Sequence, residues 1–385
     1  MKIAYIGQKG IPTKQGGIEK HVEELSTRLA RMGFDISVYS RPHYTSVDKK
    51  NYTHKKVNVI NVPSLNTKNL DAITHTLMAS IHAVTKGYDI IHYHGVGPSL
   101  LSWIPRIFSP KSKVMVTFHC TDRLHKKWGI FAKLMLTLGE WTSCKFPHQT
   151  ITASKILQGY CEKHYKTKTN YIPNGVSVKK GKDTEILKKL GIKKGGYLLT
   201  VSRLIQHKGI HTLIKAYNQL QTNKKLVIVG DGSKTDSYVK QLKKISENNK
   251  NIIFAGRHEG NDLSTIFKNA YTFIQPSESE GLSIALLEAM NYGVPLIISD
   301  IDENKEPTNG NALEFNNKNH MDLARQINFA IKHPNFIKEK AQAAKKHAIK
   351  YYNWNDIARK TANLYEAVAE KKRALRAVAK RVVAR

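Results

Sequence analysis

Two glutamates separated by seven residues mark the most informative segment of this 385-residue chain. The segment reads PSESEGLSIALLEAM at 276–290 and contains Glu280 and Glu288. We expect Glu280 in the loop after a strand at 271–274 and Glu288 on the helix that follows. The backbone N–H groups at a helix N-terminus attract anions. The two carboxylates are therefore predicted to flank a phosphate group bound at that N-terminus.

A second segment places two cations at the end of another strand. It reads TVSRLIQHKG at 200–209 and contains Arg203 and Lys208. Cations at the carboxyl end of a strand are well placed to neutralise a leaving diphosphate. We interpret most lysines of this chain as solvated surface charge, but this pair borders the predicted cleft and is assigned to the site.

The elements that position these segments follow from apolar patterning. A strand at 2–6, a glycine-containing loop and a helix with apolar residues at spacings of three and four lead into a strand at 35–39. Further apolar runs predict strands at 57–62, 89–93, 113–118, 149–152, 197–202, 226–229, 251–255, 271–274 and 295–298. Strands that alternate with helices indicate an α/β fold with doubly wound parallel sheets.

A Lys- and Gly-rich stretch at 175–196 interrupts this alternation, and we place a domain boundary there. We predict an N-terminal Rossmann-like domain at 1–175 and a C-terminal Rossmann-like domain at 176–355. A helix at 356–370 is expected to return to the N-terminal domain, and a basic tail follows at 371–385. Two such domains are expected to face a cleft at the carboxyl ends of their strands.

The net charge of +32 is far from that of an ordinary globular protein. Residues 1–180 hold 27 basic and 10 acidic side chains, an excess of 17. Such an excess indicates a nucleic acid, an acidic membrane or a phosphorylated substrate as partner, or else a lysine-rich solvated surface. The three cysteines form no disulfide framework, and no apolar run is long enough to span a membrane, so we expect a cytoplasmic protein.

Taken together, the motifs resemble those of family-4 glycosyltransferases, which are retaining, metal-independent enzymes of the GT-B fold. The resemblance rests on segments that occur in the family's order, namely GGIEKHVEEL, YDIIHYHG, VTFH, IPNGV, VSRLIQHKG, LVIVGDG, FAGR and SESEGLSIALLEAMNYGVPLIIS. The stretch DRLHKKWGIFAKLMLTLGE at 122–140 is similar to a branch of the family that assembles bacterial surface polysaccharides.

The resemblance implies a role for each matching residue. Arg203 and Lys208 would hold the donor diphosphate and stabilise its departure, Glu288 would bind the ribose hydroxyls, and Glu280 would contact the transferred sugar. His119 would contact the sugar or lie on the reactive face of the donor. The remaining donor-binding residues implied by the family are Gly16, Gly17, Arg257, Gly281, Leu282 and Ser283. The pair Leu282–Ser283 departs from the larger residue that the family often has after Glu-Gly, which bears on sugar selectivity.

Two further patterns are weaker metal-site candidates. His92 and His94 alternate on a strand, but without an acidic or cysteine partner we interpret them as strand-end residues lining the cleft. Asp300 and Asp302 form an Asp-x-Asp triplet, which we interpret as ordinary loop. No metal and no cofactor are predicted, since the nucleotide-sugar is a substrate.

A mixed aromatic and basic segment in the N-terminal half is a membrane-docking candidate. Its residues are Lys126, Lys127, Trp128, Phe131 and Lys133. Aromatic side chains favour the membrane interface and lysines attract anionic lipid. The alternative is a core helix with outward lysines. The tail after Glu370 has apolar residues at helical spacing among seven basic ones and would also form an amphipathic helix on a surface.

The sequence thus predicts a retaining glycosyltransferase that moves a sugar from a nucleotide-sugar, with a UDP-sugar favoured, to a glycan or lipid-linked acceptor. It would work in cell-surface polysaccharide or glycolipid synthesis, in the cytoplasm or on the inner face of the membrane. The alternatives are a non-catalytic protein that binds membrane or nucleic acid, and a sugar phosphorylase on the same fold. Nucleic acid is disfavoured as partner because no aromatic stacking module is recognisable.

Overall fold

The computed structural model describes residues 1–14, 16–45, 50–67, 70–121, 123, 129–177, 185–232 and 236–383, with side chains up to Glu370. The chain divides into two compact units. Unit 1 comprises Met1–Asn174 and Trp354–Arg385, and unit 2 comprises Gly175–Asn353.

Unit 1 contains an eight-stranded sheet with strand order β3-β4-β2-β1-β5-β6-β7-β8. Its strands are β1 (Lys2–Ile6), β2 (Asp35–Ser40), β3 (Asn51–His54), β4 (Val57–Asn61), β5 (Ile90–His94), β6 (Lys113–Phe118), β7 (Gln149–Thr152) and β8 (Asn170–Tyr171). All pairings are parallel except that of β3 with β4. The order of the parallel strands reverses direction at β1, as in a doubly wound sheet.

The helices of unit 1 connect these strands. They are α1 (Gly17–Arg31), α2 (Pro42–Thr45), α3 (Asp71–Val84), α4 (Val96–Ser99), α5 (Ile104–Phe108), α6 (Ile130–Lys145) and α7 (Lys155–Tyr165). In α1, Val22, Leu25 and Leu29 are buried as their spacing predicts, whereas Met32 lies beyond the helix end and is exposed.

Unit 2 contains a six-stranded, wholly parallel sheet with order β11-β10-β9-β12-β13-β14. Its strands are β9 (Tyr197–Val201), β10 (Lys225–Val229), β11 (Ile252–Gly256), β12 (Thr272–Gln275), β13 (Leu296–Ser299) and β14 (Leu313–Phe315). Its helices are α8 (Glu185–Lys189), α9 (Ile210–Tyr217), α10 (Asp236–Ser246), α11 (Gly260–Lys268), α12 (Ile284–Tyr292), α13 (Asp302–Thr308), α14 (His320–Lys332) and α15 (Pro334–Tyr351). The predicted α/β fold class with two doubly wound sheets is confirmed.

The last helix, α16 (Trp354–Val383), packs in the core of unit 1. Trp354, Ile357 and Tyr365 are buried there in one cluster with the apolar face of α1 and with Tyr5 of β1. The chain therefore leaves unit 1 after Asn174 and returns to it at Trp354. The side chains of the basic tail at 371–385 lie outside the described ones.

Three strands were not predicted from the sequence, namely β3, β8 and β14. They have four, two and three residues, and their sequences NYTH, NY and LEF contain no run of apolar residues. Among the described residues, no helix combines the length and the apolar character needed to cross a membrane.

Candidate functional site

The carboxyl ends of β9 and β12 lie side by side in unit 2, because the two strands are parallel neighbours. Arg203 and Lys208 follow β9, and Glu280 follows β12. The sequence predicted that each residue follows a strand, but only the strand order makes these two strands neighbours. Arg203 is exposed, whereas Lys208 and Glu280 are mostly buried.

The loops after β9 and β12 are joined through their backbones. A short 3-10 helix at Gln206–Lys208 follows β9, and the carbonyl of His207 accepts a hydrogen bond of 2.8 Å from the amide of Glu278. Gly209 has φ of +66°, and a Cβ there would overlap the carbonyl oxygen of Pro276. Only glycine allows this close approach, so Gly209 holds the loop of Lys208 against the loop of Glu280.

The carboxylate of Glu280 is held by three donors. Its Oε1 accepts hydrogen bonds from Lys208 Nζ at 2.5 Å, from Gln275 Nε2 at 2.6 Å and from Ser277 Oγ at 2.6 Å. The exposed fraction is 14% for the Lys208 side chain and 6% for that of Glu280. This arrangement preorganises one cation and one anion at the strand edge, where the cation can meet an arriving phosphate.

Helix α12 begins directly after Glu280. Ser283 is its N-cap, and the Ser283 hydroxyl accepts a hydrogen bond of 3.3 Å from the amide of Leu286. The helix starts at Ile284, so Gly281, Leu282 and Ser283 lie in the turn that leads into it. Glu288 lies in the second turn of α12 and is partly exposed. The N-terminus of α12 and both motif glutamates thus belong to one loop–helix unit.

The Asp-x-Asp triplet makes local contacts. Asp300 accepts a hydrogen bond of 2.8 Å from the amide of Asn317, and Asp302 opens α13 within 3.9 Å of Lys305. Both contacts are typical of a loop and a helix start.

A further carboxyl group near Glu280 was not identified from the sequence. Burial raises the pKa of Glu303, and the neighbouring carboxylates of Asp302, Glu280 and Glu306 raise that pKa further. Glu303 lies in the first turn of α13, shortly after β13, the next strand after β12 in the sheet. The sequence signal for Glu303 was its position shortly after a predicted strand, but no motif contains this residue.

Arg257 follows β11 and is exposed in an ion pair with Glu259. In the sheet, β10 separates β11 from β9. Unit 2 therefore places Arg257 at the same sheet edge as Lys208, but two strands away.

In unit 1, Gly16 and Gly17 begin α1, as predicted. Gly16 is the N-cap with φ of +109°, and a Cβ there would overlap the carboxylate of Glu19. Glu19 is buried and accepts a hydrogen bond of 3.1 Å from the amide of Lys9. The glycine therefore makes room for an internal contact of the loop that precedes α1.

His119 lies directly after β6 in a cluster that the sequence did not identify. His94 ends β5 and His21 lies on α1, and potential ligand nitrogens of the three imidazoles lie within 4.8 Å of one another. His94 Nδ1 is 3.4 Å from His119 Nε2, and His21 Nδ1 is 2.8 Å from Asn174 Oδ1. We name His21, His94 and His119 the histidine cluster.

Burial dominates the protonation of the histidine cluster. It lowers the pKa of His21 to about 4, and it lowers the pKa of His94 and of His119 well below the usual value. A buried imidazole loses the hydration of its charged form, and repulsion from neighbouring imidazoles lowers the pKa of His94 and of His119 further. All three side chains are therefore neutral at neutral pH.

His92 does not line an open surface. It is fully buried, with Nδ1 at 2.6 Å from the Tyr365 hydroxyl and Nε2 at 2.8 Å from Thr117 Oγ1. The predicted placement of His92 and His94 on one face is right, since their rings stack at 4.3 Å. Their predicted position as cleft-lining residues is wrong for His92, because helix α16 covers it.

Of the membrane-docking candidates, Lys126, Lys127 and Trp128 lie outside the described residues. Phe131 and Lys133 lie on α6, and Phe131 is 75% exposed. Other large apolar side chains are exposed on α6, on the helices α3 and α5 of the same unit and at the N-cap of α5: Leu77, Met78, Ile81, Trp103, Ile107, Phe108, Ile130, Leu134, Leu138 and Trp141. The alternative of a core helix is therefore wrong for the start of α6.

Known proteins match the chain over most of its length. Residues 15–180 match the family model described as Glycosyltransferase Family 4, and residues 182–351 match that described as Glycosyl transferases group 1. An uncharacterized glycosyltransferase of Methanocaldococcus jannaschii is 26% identical over 96% of this chain and 99% of its own length.

Two further proteins carry more specific names. A UDP-Gal:alpha-D-GlcNAc-diphosphoundecaprenol alpha-1,3-galactosyltransferase of Escherichia coli is 27% identical, over 74% of this chain and 77% of its own. The structure of Anabaena HepE in complex with UDP-glucose superposes with a TM-score of 0.78 at 18% identity, over 95% of this chain and 100% of that one. The structural likeness shows the GT-B fold. Since the two family models follow one another along both units, the chain belongs to the family-4, group 1 glycosyltransferases.

Proposed function

We propose that this protein is a retaining, metal-independent hexosyltransferase that moves a sugar from a UDP-sugar to a glycan or lipid-linked acceptor. The observation that carries the proposal is the Lys208–Glu280 pair, held between two joined loops directly before the N-terminus of α12. Breaking a sugar–phosphate bond leaves negative charge on the diphosphate, and a preorganised cation stabilises that charge.

The roles of the other residues are those that the family resemblance implies. Lys208 and the exposed Arg203 hold the diphosphate, Glu288 binds the ribose hydroxyls, and Glu280 contacts the transferred sugar. His119 keeps the sugar-contacting role that the family resemblance implies. Gly281, Leu282 and Ser283 form the turn before α12, and we assign their backbone amides to the donor phosphate. Gly16 and Gly17 at the start of α1 keep the donor-binding role that the resemblance implies, and Arg257 keeps its implied role beside the base.

The named relatives support the choice of donor and acceptor. The E. coli relative is named for UDP-galactose and for an acceptor on diphosphoundecaprenol, and the Anabaena structure holds UDP-glucose. An acceptor that carries a diphosphate suits the excess of 17 positive charges in residues 1–180. We therefore place the enzyme in cell-surface polysaccharide or glycolipid synthesis.

A donor panel tests the proposal. UDP-, GDP-, dTDP- and ADP-sugars are incubated with the full chain, with and without EDTA, and release of the nucleoside diphosphate is measured. We expect turnover with a UDP-sugar that survives EDTA, because Lys208 and Arg203 supply the charge that a metal supplies elsewhere.

Each alternative has its own result in this assay. NMR of the product should show the anomeric configuration of the donor. Turnover only with inorganic phosphate and a glycan would identify a phosphorylase, and no turnover with any donor would favour a non-catalytic binding protein. Activity that EDTA abolishes and manganese or magnesium restores would contradict the metal-independent mechanism.

We also propose that unit 1 attaches reversibly to an anionic membrane. Ile130 is 91% and Phe131 75% exposed at the start of α6, and Phe108 is 66% exposed on α5. Helix α5 packs on α3, and α4 packs on both α3 and α6, so these exposed apolar side chains belong to neighbouring helices. Several strongly exposed apolar side chains on neighbouring helices are typical of a binding surface.

The charges around these helices favour anionic lipid. Between the end of α3 and the end of α6, the structure describes two acidic residues, and each has a partner. Asp89 accepts a hydrogen bond from the backbone amide of Lys2, and Glu140 is fully buried beside Arg123. Lysines close to an anionic surface contribute on the order of 1 kcal/mol each. Apolar insertion and lysine attraction together suit peripheral attachment.

Vesicle co-sedimentation measures this attachment. We expect the chain to bind phosphatidylglycerol or cardiolipin vesicles at low salt and to leave them at high salt, since screening acts over about 10 Å at 0.1 M. The double variant Ile130→Ser/Phe131→Ser should bind on the order of tenfold more weakly, the loss expected for two buried apolar groups that insert only partly. Met321→Ser, which changes an exposed apolar residue of unit 2, is the matched control.

The basic tail needs a separate control. A chain that ends after Glu370 should still bind, because the exposed helices of unit 1 remain. If the shortened chain does not bind anionic vesicles at low salt, membrane attachment by unit 1 is contradicted. The positive charge of unit 1 would then bind an acceptor phosphate or form a solvated surface.

A further inference from the structure

We propose that the histidine cluster binds one transition-metal cation of the zinc type, and that the bound ion inhibits the enzyme by occupying His119. The inhibition rests on the proposed function, whereas the binding does not. The site lies within unit 1, and its three side chains come from α1, β5 and the residue after β6.

The first argument is the set of ligand atoms. Three imidazoles offer nitrogens within 4.8 Å of one another, and each side chain is at least nine-tenths buried. Zinc binds imidazole nitrogen at about 2.0–2.1 Å, and three histidines with one open position form a common zinc site. Small side-chain rotations bring nitrogens at these separations onto one ion.

The second argument is the pair of nitrogens that have no partner among the described residues. His21 Nε2 and His94 Nε2 are buried without a hydrogen bond. A buried polar atom without a partner costs free energy that a ligand recovers. Both atoms belong to side chains of the histidine cluster, so a cation that coordinates them would recover this free energy.

The third argument is the tautomer of His21. The Nδ1–H of His21 donates to the side-chain oxygen of Asn174, which leaves the lone pair on Nε2. Metal-binding histidines characteristically donate their second nitrogen to an oxygen in this way, which fixes the ring and its tautomer. Asn174 thus orients His21 as a ligand.

Another buried histidine of unit 1 shows the contrast. His75 is also fully buried, but the nearby charges are those of Arg41, His43 and Asp71, and the cationic Arg41 disfavours a metal ion. A buried imidazole alone does not make a cation site, whereas three that share one space do.

Metal binding to the full chain tests the proposal directly. We expect equilibrium dialysis to retain one equivalent of Zn²⁺, and Co²⁺ to give the visible absorption of a tetrahedral site. His21→Gln and His94→Gln should each weaken binding at least about tenfold, the lower limit found even for outer-sphere partners. His333→Gln removes an exposed histidine of unit 2 and should leave binding unchanged.

X-ray absorption of the zinc-loaded, unaltered chain decides the matter even if a variant fails to fold. Three imidazole ligands are expected. Retention of no zinc, or zinc with fewer than three imidazoles, would overturn the site.

If the donor panel shows turnover, stoichiometric zinc should inhibit that turnover reversibly. Zinc bound at the cluster without inhibition would overturn the inhibitory role, and zinc bound by a chain without turnover would count against the proposed function alone.

Discussion

Lys208→Met should lower the turnover number on the order of 100- to 1000-fold, the loss typical when one preorganised charge-stabilising group is removed. Methionine keeps the apolar stem but removes the ammonium group that lies 2.5 Å from Glu280. The cation that meets the leaving diphosphate disappears, and Glu280 loses one of its three donors. Steady-state kinetics with the donor identified in the panel measure the effect.

Lys215→Met is the matched control, since Lys215 is exposed on α9 directly after the same loop. Its turnover should equal that of the unaltered chain. A Lys208→Met enzyme that keeps its turnover would remove Lys208 from the proposed mechanism.

The two glutamates sharpen this test because they are expected to fail differently. Glu280→Gln should lower the turnover number, because the Glu280 carboxylate forms an ion pair with Lys208, the cation proposed to meet the leaving diphosphate. Glu288→Gln should mainly raise the donor KM, because charge-assisted hydrogen bonds to ribose are worth about 1.5–3 kcal/mol, or roughly 10- to 150-fold. Identical kinetic profiles would contradict the separate roles.

Gly209→Ala should both destabilise unit 2 and abolish transfer. Gly209 has φ of +66°, and the new Cβ would overlap the carbonyl oxygen of Pro276. Left-handed backbone costs a non-glycine residue about 1–2 kcal/mol, and relief of the overlap must also move the loop that carries Glu280. Thermal unfolding and donor turnover measure the two consequences.

Gly195→Ala separates backbone strain from overlap. Gly195 has a similar φ of +68°, but nothing lies within 4 Å of the position of its Cβ. It should lower the melting temperature by roughly 2–8 °C, as strain alone predicts, and leave turnover unchanged. Equal losses in both variants would show that the contact between Gly209 and Pro276 is not important.

Much of the fold could be read from local patterns. Each strand predicted from an apolar run is a strand in the structure, because a buried parallel strand needs apolar residues on both faces. The site motifs of unit 2 were also placed correctly on loops after strands, since glycine, charge and a following apolar helix are local signals. The short strands β3, β8 and β14 were not predicted, because their pairing with a neighbouring strand, and not their composition, makes them strands.

The sequence by itself determined which residues follow which strands and that the chain is an α/β glycosyltransferase by its motifs. Tertiary structure alone decided which strand ends are neighbours, so that Lys208 contacts Glu280 across 72 residues of chain. It also decided that His21, His94 and His119 share one buried space. His92, by contrast, is hydrogen-bonded to Tyr365 of the last helix. The reason is physical: periodicity and motifs record local backbone preference and burial, whereas the partner of a buried polar atom depends on crossovers between distant segments and on the desolvation that packing imposes.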